Sequence, residues 1–385
     1  MADGGRLSNP RTGPGGRRSK HLAALLLLAL AAPALAQRPD ALSPAYEAVV
    51  RRYQSGDREG AVAEMSGWPE HRLRDEMTAL RALSQGAFAC PYRCSAADRW
   101  AMTPVRAALM LHSDCAQRAR AHGQSARLHE SVAFELAGFM KDDPGHRAFA
   151  RRWYEATSAL AQGEARWGEA LDWADRGLLA FPDSVDLLLV RGSIEEALAA
   201  QAAPRASEDA LLDAGARESR SQLLHAQEVR GHLESARRAL RSAVTTDPSR
   251  AEAHLRLGRV AWRLGEAAEA RSVLVDVLAR KPDPATAFLA HLFLGRLDED
   301  EGRLDAASRS YEAALALDAH AQSARMALSH VRLRTGDAAA ARREVETAVA
   351  SAGRRRQPDP FWLYPWGPSV GVEDRLEALR REASS

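Results

Sequence analysis

HLRLGRVAWRLGEAAEA at residues 254–270 returns as HLFLGRLDEDEGRLDAA at 291–307 and as RMALSHVRLRTGDAAAA at 325–341. In each copy a leucine and a small residue stand together: Leu257-Gly258, Leu294-Gly295, Leu328-Ser329. Seven residues later comes a glycine (Gly265, Gly302, Gly336), and five beyond it an alanine (Ala270, Ala307, Ala341). Leu294 and Leu328 lie 34 residues apart. Leu257 precedes Leu294 by 37, the surplus falling in the Pro282–Thr286 turn. Such offsets suit two antiparallel helices joined by a tight turn. The small residues let the backbones approach, the leucines fill the seam, and each glycine takes the left-handed conformation that ends the first helix. Pro248 and Pro282 stand where a second helix must stop.

Working outward, His232–Pro248 reads as a second helix, with Gly231, Ala236, Leu240 and Ala243 at the matching offsets. Its first helix is expected at Val185–Ala199, marked by Gly192. The intervening stretch, about 200–230, is polar and helix-favouring, and is expected to form an extra helix or a helix extension. Arg151–Pro182 forms a further unit with Ala170 and Gly177. Two degenerate units are expected at Ser43–Pro69, around Gly56-Asp57, and at Thr103–Pro144, around Gly123.

This pattern resembles the tetratricopeptide repeat. The match is to the small-residue skeleton. Where the family carries a tryptophan three residues before the leucine, this chain has His254, His291 and Arg325; for the tyrosine three after the small residue it has Ala261, Asp298 and Arg332. Tyr311 fills the aromatic position of the second helix once, with Leu274 and Val345 in the other copies. The resemblance implies an all-α fold, a right-handed α-solenoid of stacked helix-turn-helix repeats, acting as a protein-binding scaffold without catalysis or cofactor. It also implies that first helices line a concave groove: Leu255, Arg259, Trp262 and Arg263; then Leu292, Arg296, Glu299 and Asp300; then Met326, His330, Leu333 and Arg334. Apolar anchors beside guanidinium groups suit a peptide, with Arg259 and Arg296 meeting carboxylates. Leu255 and Leu292 serve equally well as packing residues. The Lys and Asn with which family members clamp a C-terminal carboxylate are missing.

The organisation expected is a targeting segment (1–36), degenerate helical repeats (37–150), repeats with an insertion (151–250), clear repeats (251–352), and a strap with a capping helix (353–385). Arg17, Arg18 and Lys20 make a positive start, His21–Ala32 a leucine- and alanine-rich run, and Ala34-Leu35-Ala36 a cleavage site before Gln37. The run is too short for a comfortable membrane span. The chain is therefore expected to be periplasmic or secreted, with a protein or peptide partner in the cell envelope.

Charge excludes one class of partner. The 50 arginines against three lysines reflect codon choice, as in a high-GC bacterial genome. Beyond residue 36 there are 48 basic and 50 acidic residues, so no basic excess invites a nucleic acid.

Cys90, Cys94 and Cys115 with His112 read C-x3-C-x17-H-x2-C, which superficially fits zinc and would place a metal-dependent enzyme there. An exported chain more readily forms a disulfide, with Cys94 or Cys90 to Cys115 the natural bridge. His254 and His291 recur at one repeat position, where packing is favoured over metal binding. Glycine-rich phosphate loops and hydrolase motifs are absent.

After the repeats, Phe361, Trp362, Tyr364 and Trp366 crowd among Pro358, Pro360, Pro365 and Pro368. The prolines predict an extended strap lying on Val331, Val345 and the groove. Glu373–Arg381, with Leu376 and Leu379, is expected to close the last repeat. Alternatively, Trp362, Tyr364 and Trp366 form a displaceable latch or a ligand platform, for instance in a cell-wall or polysaccharide binder.

Overall fold

A computed structural model describes residues 42–88, 104–212, 216–351 and 358–385. The expected targeting segment and its cleavage point lie outside the described residues, as do Cys90 and Cys94. Among the described residues every regular element is a helix. In chain order they are α1 (Pro44–Gln54), α2 (Arg58–Ser66), α3 (Glu70–Phe88), α4 (Val105–Ala121), α5 (Arg127–Met140), α6 (Arg147–Gly163) and α7 (Trp167–Ala180). Then come α8 (Val185–Leu212), α9 (Ala216–Thr246), α10 (Ala251–Arg263), α11 (Ala267–Ala279), α12 (Pro284–Asp300), α13 (Leu304–Leu317), α14 (Gln322–Arg334) and α15 (Ala338–Ser351). The chain ends with α16 (Pro360–Leu363), a 3-10 turn (Tyr364–Ser369) and α17 (Val372–Ala383). None of these helices is long and apolar enough to cross a membrane.

One turn joins most pairs. Gly265, Gly302 and Gly336 have φ of 84°, 75° and 85°. After each, a backbone N–H returns to a carbonyl five residues back: Glu266 to Ala261, Arg303 to Asp298, Asp337 to Arg332. The pair α6–α7 makes the same turn at Ala165, whose φ of 57° is unusual without glycine.

Close approach sets the register within each pair. A Cβ on Gly258 would meet Leu274 at 2.8 Å, and one on Gly192 would meet Leu240 at 2.7 Å. The second contact joins α8 to α9 across the insertion, which thus lengthens both arms of one helix pair. A Cβ on Gly295 would collide with the Tyr311 ring. That ring is fully buried, its hydroxyl 2.8 Å from Glu299 Oε2. The buried apolar residues form successive clusters along the array, one around Tyr46, Trp153 and Phe181, one around Leu240 and Leu257, and one around Phe288, Phe293 and Val331.

The C-terminal segment departs from the expected strap. It is not extended: Asp359 caps the short α16, accepting from the Phe361 N–H at 3.0 Å, and the chain then tightens into the 3-10 turn. Proline fits because Pro360 and Pro365 occupy first-turn positions, where their fixed φ suits the helix and an N–H has no partner to lose. Nor does the final helix close the last repeat. Val372, Leu376, Leu379 and Ala383 of α17 enter the core of the N-terminal helices, and α17 lies on α4 and α6. Val345, expected beneath the strap, stays exposed on α15. Charge fixes this destination. Arg380 meets Asp114 at 2.9 Å, Glu382 meets Arg106 and Arg152 at 3.1 and 2.5 Å, and Glu377 meets Arg58 at 2.8 Å. The first repeats supply every one of these partners.

Candidate functional site: the inner face of the repeats

First helices α4, α6, α8, α10, α12 and α14 present one face, and residues 359–383 lie along it. The segment starts on α14, where Asp359 accepts from the Ser323 backbone N–H and hydroxyl, both at 2.9 Å. It ends on the N-terminal helices at the α17 ion pairs.

Midway, Tyr364 is buried against three helices. Its hydroxyl donates to Glu196 at 2.8 Å, and its backbone carbonyl accepts from Arg256 Nη2 at 2.8 Å. The Arg256 and Arg259 guanidinium carbons sit 4.4 and 4.7 Å from its ring centre, and Phe293 meets the ring edge-on at 5.3 Å. Glu196, on α8, also takes Arg256 at 3.2 Å and Arg259 at 2.9 Å. Glu252 takes the Arg256 Nε–H at 3.0 Å. Arg256 is 1% exposed and Glu196 2%, so this is a desolvated charge cluster. Burial works against the Arg256 charge, but Tyr364, Glu252 and Glu196 outweigh it and hold its pKa above the ordinary value. Burial and the Glu196 carboxylate push the Tyr364 hydroxyl up, so it remains a donor.

The predicted groove residues therefore divide. Leu255 and Leu292 are each 2% exposed and pack in the core, the packing alternative of the sequence reading, while Leu292 also reaches the wall of an open cleft. Arg259 is committed to Glu196 and Tyr364, and Arg263 to the Glu196 backbone carbonyl at 3.2 Å. Burial, with Arg259 alongside, lowers the Arg263 pKa. Glu299 is buried too, held by Tyr311, His330 and Arg334 instead of facing a ligand. Trp262 donates to Asp300 at 2.7 Å. Arg296, Met326 and Leu333 are exposed.

Of the aromatic segment, Tyr364 is buried and Trp366 stacks on Trp167 at 5.0 Å. Phe361 packs beside the C-terminal core, and Trp362 is 58% exposed. These four therefore present no continuous flat platform.

A cleft of about 600 Å³ stays open beside the start of this segment. Arg259, Trp262, Leu292, Phe293, Arg296 and Met326 line one wall, Phe361 and Trp362 the other. Arg296 makes no ion pair among the described residues, so it is the unspent cation of the cleft.

Of the four residues in the zinc reading, His112 and Cys115 are among the described residues and Cys90 and Cys94 are not. Both nitrogens of His112 are engaged at 3.0 Å, by the Tyr46 hydroxyl and by His129 Nδ1. Burial lowers the pKa of both imidazoles, that of His129 to about 4. Cys115 is a buried thiol, free among the described residues, with its pKa pushed up by burial to about 12. Its predicted bridge to Cys94 concerns a residue outside the described ones. His254 is buried, its Nε2 3.0 Å from the Pro248 carbonyl. No cluster of metal-binding side chains occurs among the described residues.

Sequence reasoning missed Glu196, Arg256 and Asp114. A partial signal existed: Glu252, Arg256, Arg259 and Arg263 follow helical spacing, one charged stripe on an otherwise apolar helix.

Solved structures share 13–17% identity with the chain. MamA residues 41-end from Desulfovibrio magneticus RS-1 is 17% identical, covering 54% of this chain and 97% of its own at a TM-score of 0.39. Pseudomonas aeruginosa pilF is 13% identical, covering 60% and 88% at 0.40. YrrB, described as a TPR protein with an unusual peptide-binding site, is 13% identical, covering 57% and 90% at 0.34. Comparison with curated proteins gave no match. Family models of the tetratricopeptide repeat match residues 230–292 and 293–359, the region where Gly258 and Gly295 seat Leu274 and Tyr311. The helix pairs of residues 230–359 are thus tetratricopeptide repeats.

Proposed function

We propose that this chain is an exported, non-catalytic scaffold that holds a segment of a protein partner in the cleft between α10–α14 and the C-terminal segment. One observation carries the reading: the inner face already holds a polypeptide, residues 359–383, through side chains of six first helices, and its C-terminal end remains open. The cleft offers apolar surface from Phe293, Met326 and Trp362 with Arg296 beside it. That combination suits a bulky apolar side chain next to a carboxylate. Export is supported by the residue 17–36 pattern, and the partner accordingly belongs to the cell envelope.

The test compares capture by the full chain with capture by Arg296→Glu and Met326→Asp, both exposed positions. A partner from the exported fraction that binds the native chain and is lost from both variants is the expected result. Equal capture by all three proteins refutes the cleft.

A further inference from the structure

The occupant of the inner face leaves part of it unused. Gln162 on α6 is fully buried, and its side-chain amide has the shape that pairs with a peptide group on both sides. Its Nε2 donates to the Pro365 carbonyl at 2.9 Å and to Ser193 Oγ at 2.9 Å. Its Oε1 is buried with no partner among the described residues. The residue lying over it is a proline, which has no N–H to give. Arg259 Nε, beside Tyr364, is likewise buried without an acceptor. The middle of the contact is also polar. Lifting Tyr364 away exposes Glu196, Arg256 and Arg259 to water as a still-paired ionic stripe, with the edge of Phe293 the apolar surface uncovered beside it.

We infer that the inner face from Arg106 to Phe293 is a binding site for a partner's polypeptide segment, and that residues 358–383 are its tethered, imperfect occupant. The segment that fits has a tyrosine hydroxyl for Glu196, its carbonyl on Arg256, and an N–H-bearing residue where Pro365 stands. It continues as a helix with apolar side chains one turn apart, a cation for Asp114 and a carboxylate for Arg106 and Arg152. This deepens the scaffold reading and rests on it, because the open cleft is where the incoming segment enters, beside Trp362.

The test uses the full chain with a protease recognition sequence placed within residues 352–357, folded first and then cut. The probe is a fluorescent synthetic peptide of residues 358–385. The cut chain is expected to exchange its own segment for the labelled peptide, while the uncut chain leaves the peptide free. A Tyr364→Phe peptide, which cannot touch Glu196 through a hydroxyl, is expected to bind about tenfold more weakly. Because only the peptide is altered, protein folding is not at issue. Absence of exchange, with the cut segment co-eluting and melting with the repeats, makes residues 358–383 a permanent structural tie and overturns the inference. Equal affinity of the two peptides overturns the role of Glu196. If exchange fails while the intact chain still captures a partner through Arg296 and Met326, only this inference falls. If exchange succeeds and capture fails, the cleft reading falls instead.

Discussion

Gly295→Ala and Gly231→Ala are the same chemical change in two helices, and the structure assigns them opposite signs. In an exposed helix interior the substitution gains about 1 kcal/mol, since alanine loses less backbone freedom on folding. A Cβ on Gly231 meets nothing within 4 Å, so that gain is expected undiminished. At Gly295 the new methyl lands 2.6 Å from Tyr311 Cδ1 and 2.9 Å from Cζ. The ring cannot simply retreat, because it is fully buried and its hydroxyl is held by Glu299, itself 5% exposed. Overpacking of this kind costs about 1–3 kcal/mol, and weakening a hydrogen bond to a carboxylate adds up to about 1.5–3 kcal/mol. Set against the helix gain, Gly295→Ala is expected to destabilise by about 2 kcal/mol, leaving roughly 3 kcal/mol between the two variants. Urea unfolding followed by circular dichroism measures both. Gly295→Ala as stable as the native chain refutes the proposed helix contact, and with it the frame that orients Glu299 and Arg296.

Three further outcomes follow from the same contacts. Arg380→Ala removes the partner of Asp114 and is expected to cost about 2 kcal/mol, below the 3–5 kcal/mol of a fully buried pair because both groups keep some exposure; an unchanged unfolding midpoint contradicts the docking of α17. His112 and His129 are buried, with pKa values below that of a free imidazole, so the unfolded chain takes up protons that the folded chain refuses. Their contribution is fully present above about pH 6.5 and falls by about 1.4 kcal/mol per pH unit per imidazole as pH drops toward 4; urea midpoints flat from pH 7 to 5 dismiss it, and His129→Leu is expected to halve the slope. Chain recovered from an exported fraction is expected to begin at Gln37, and N-terminal sequencing that finds residues 1–36 still attached removes the export proposal.

Repeat architecture was readable because it is local. The leucine, small residue, glycine and alanine of each unit touch only their own helix pair or the next, so a fixed offset records each contact. The left-handed turn at Gly302 follows from spacing, and Tyr311 fills the aromatic position that the repeat resemblance implies, where it seats against Gly295. Where the pattern lost its glycine, at Ala165, the turn still formed, closed by the Arg166 N–H on the Ala161 carbonyl. The path of residues 358–383 was not readable in this way. Its contacts join Tyr364 to Glu196, Arg380 to Asp114 and Glu382 to Arg106, across 168, 266 and 276 positions. No periodicity encodes partners so far apart. Proline composition predicted an extended strap, yet Pro360 and Pro365 came to rest in first-turn positions, where the ring costs nothing. Burial likewise decided the groove: Leu255 and Glu299 carry the right character and repeat position for a ligand, but neighbouring helices claimed them first. The sequence by itself determined the helix pairs, their register and the face they share. Only the tertiary structure decided which side chains on that face are spent on the chain's own C-terminus and which, like Arg296, remain to meet another molecule, because that choice depends on desolvated charge pairing between residues brought together only by the fold.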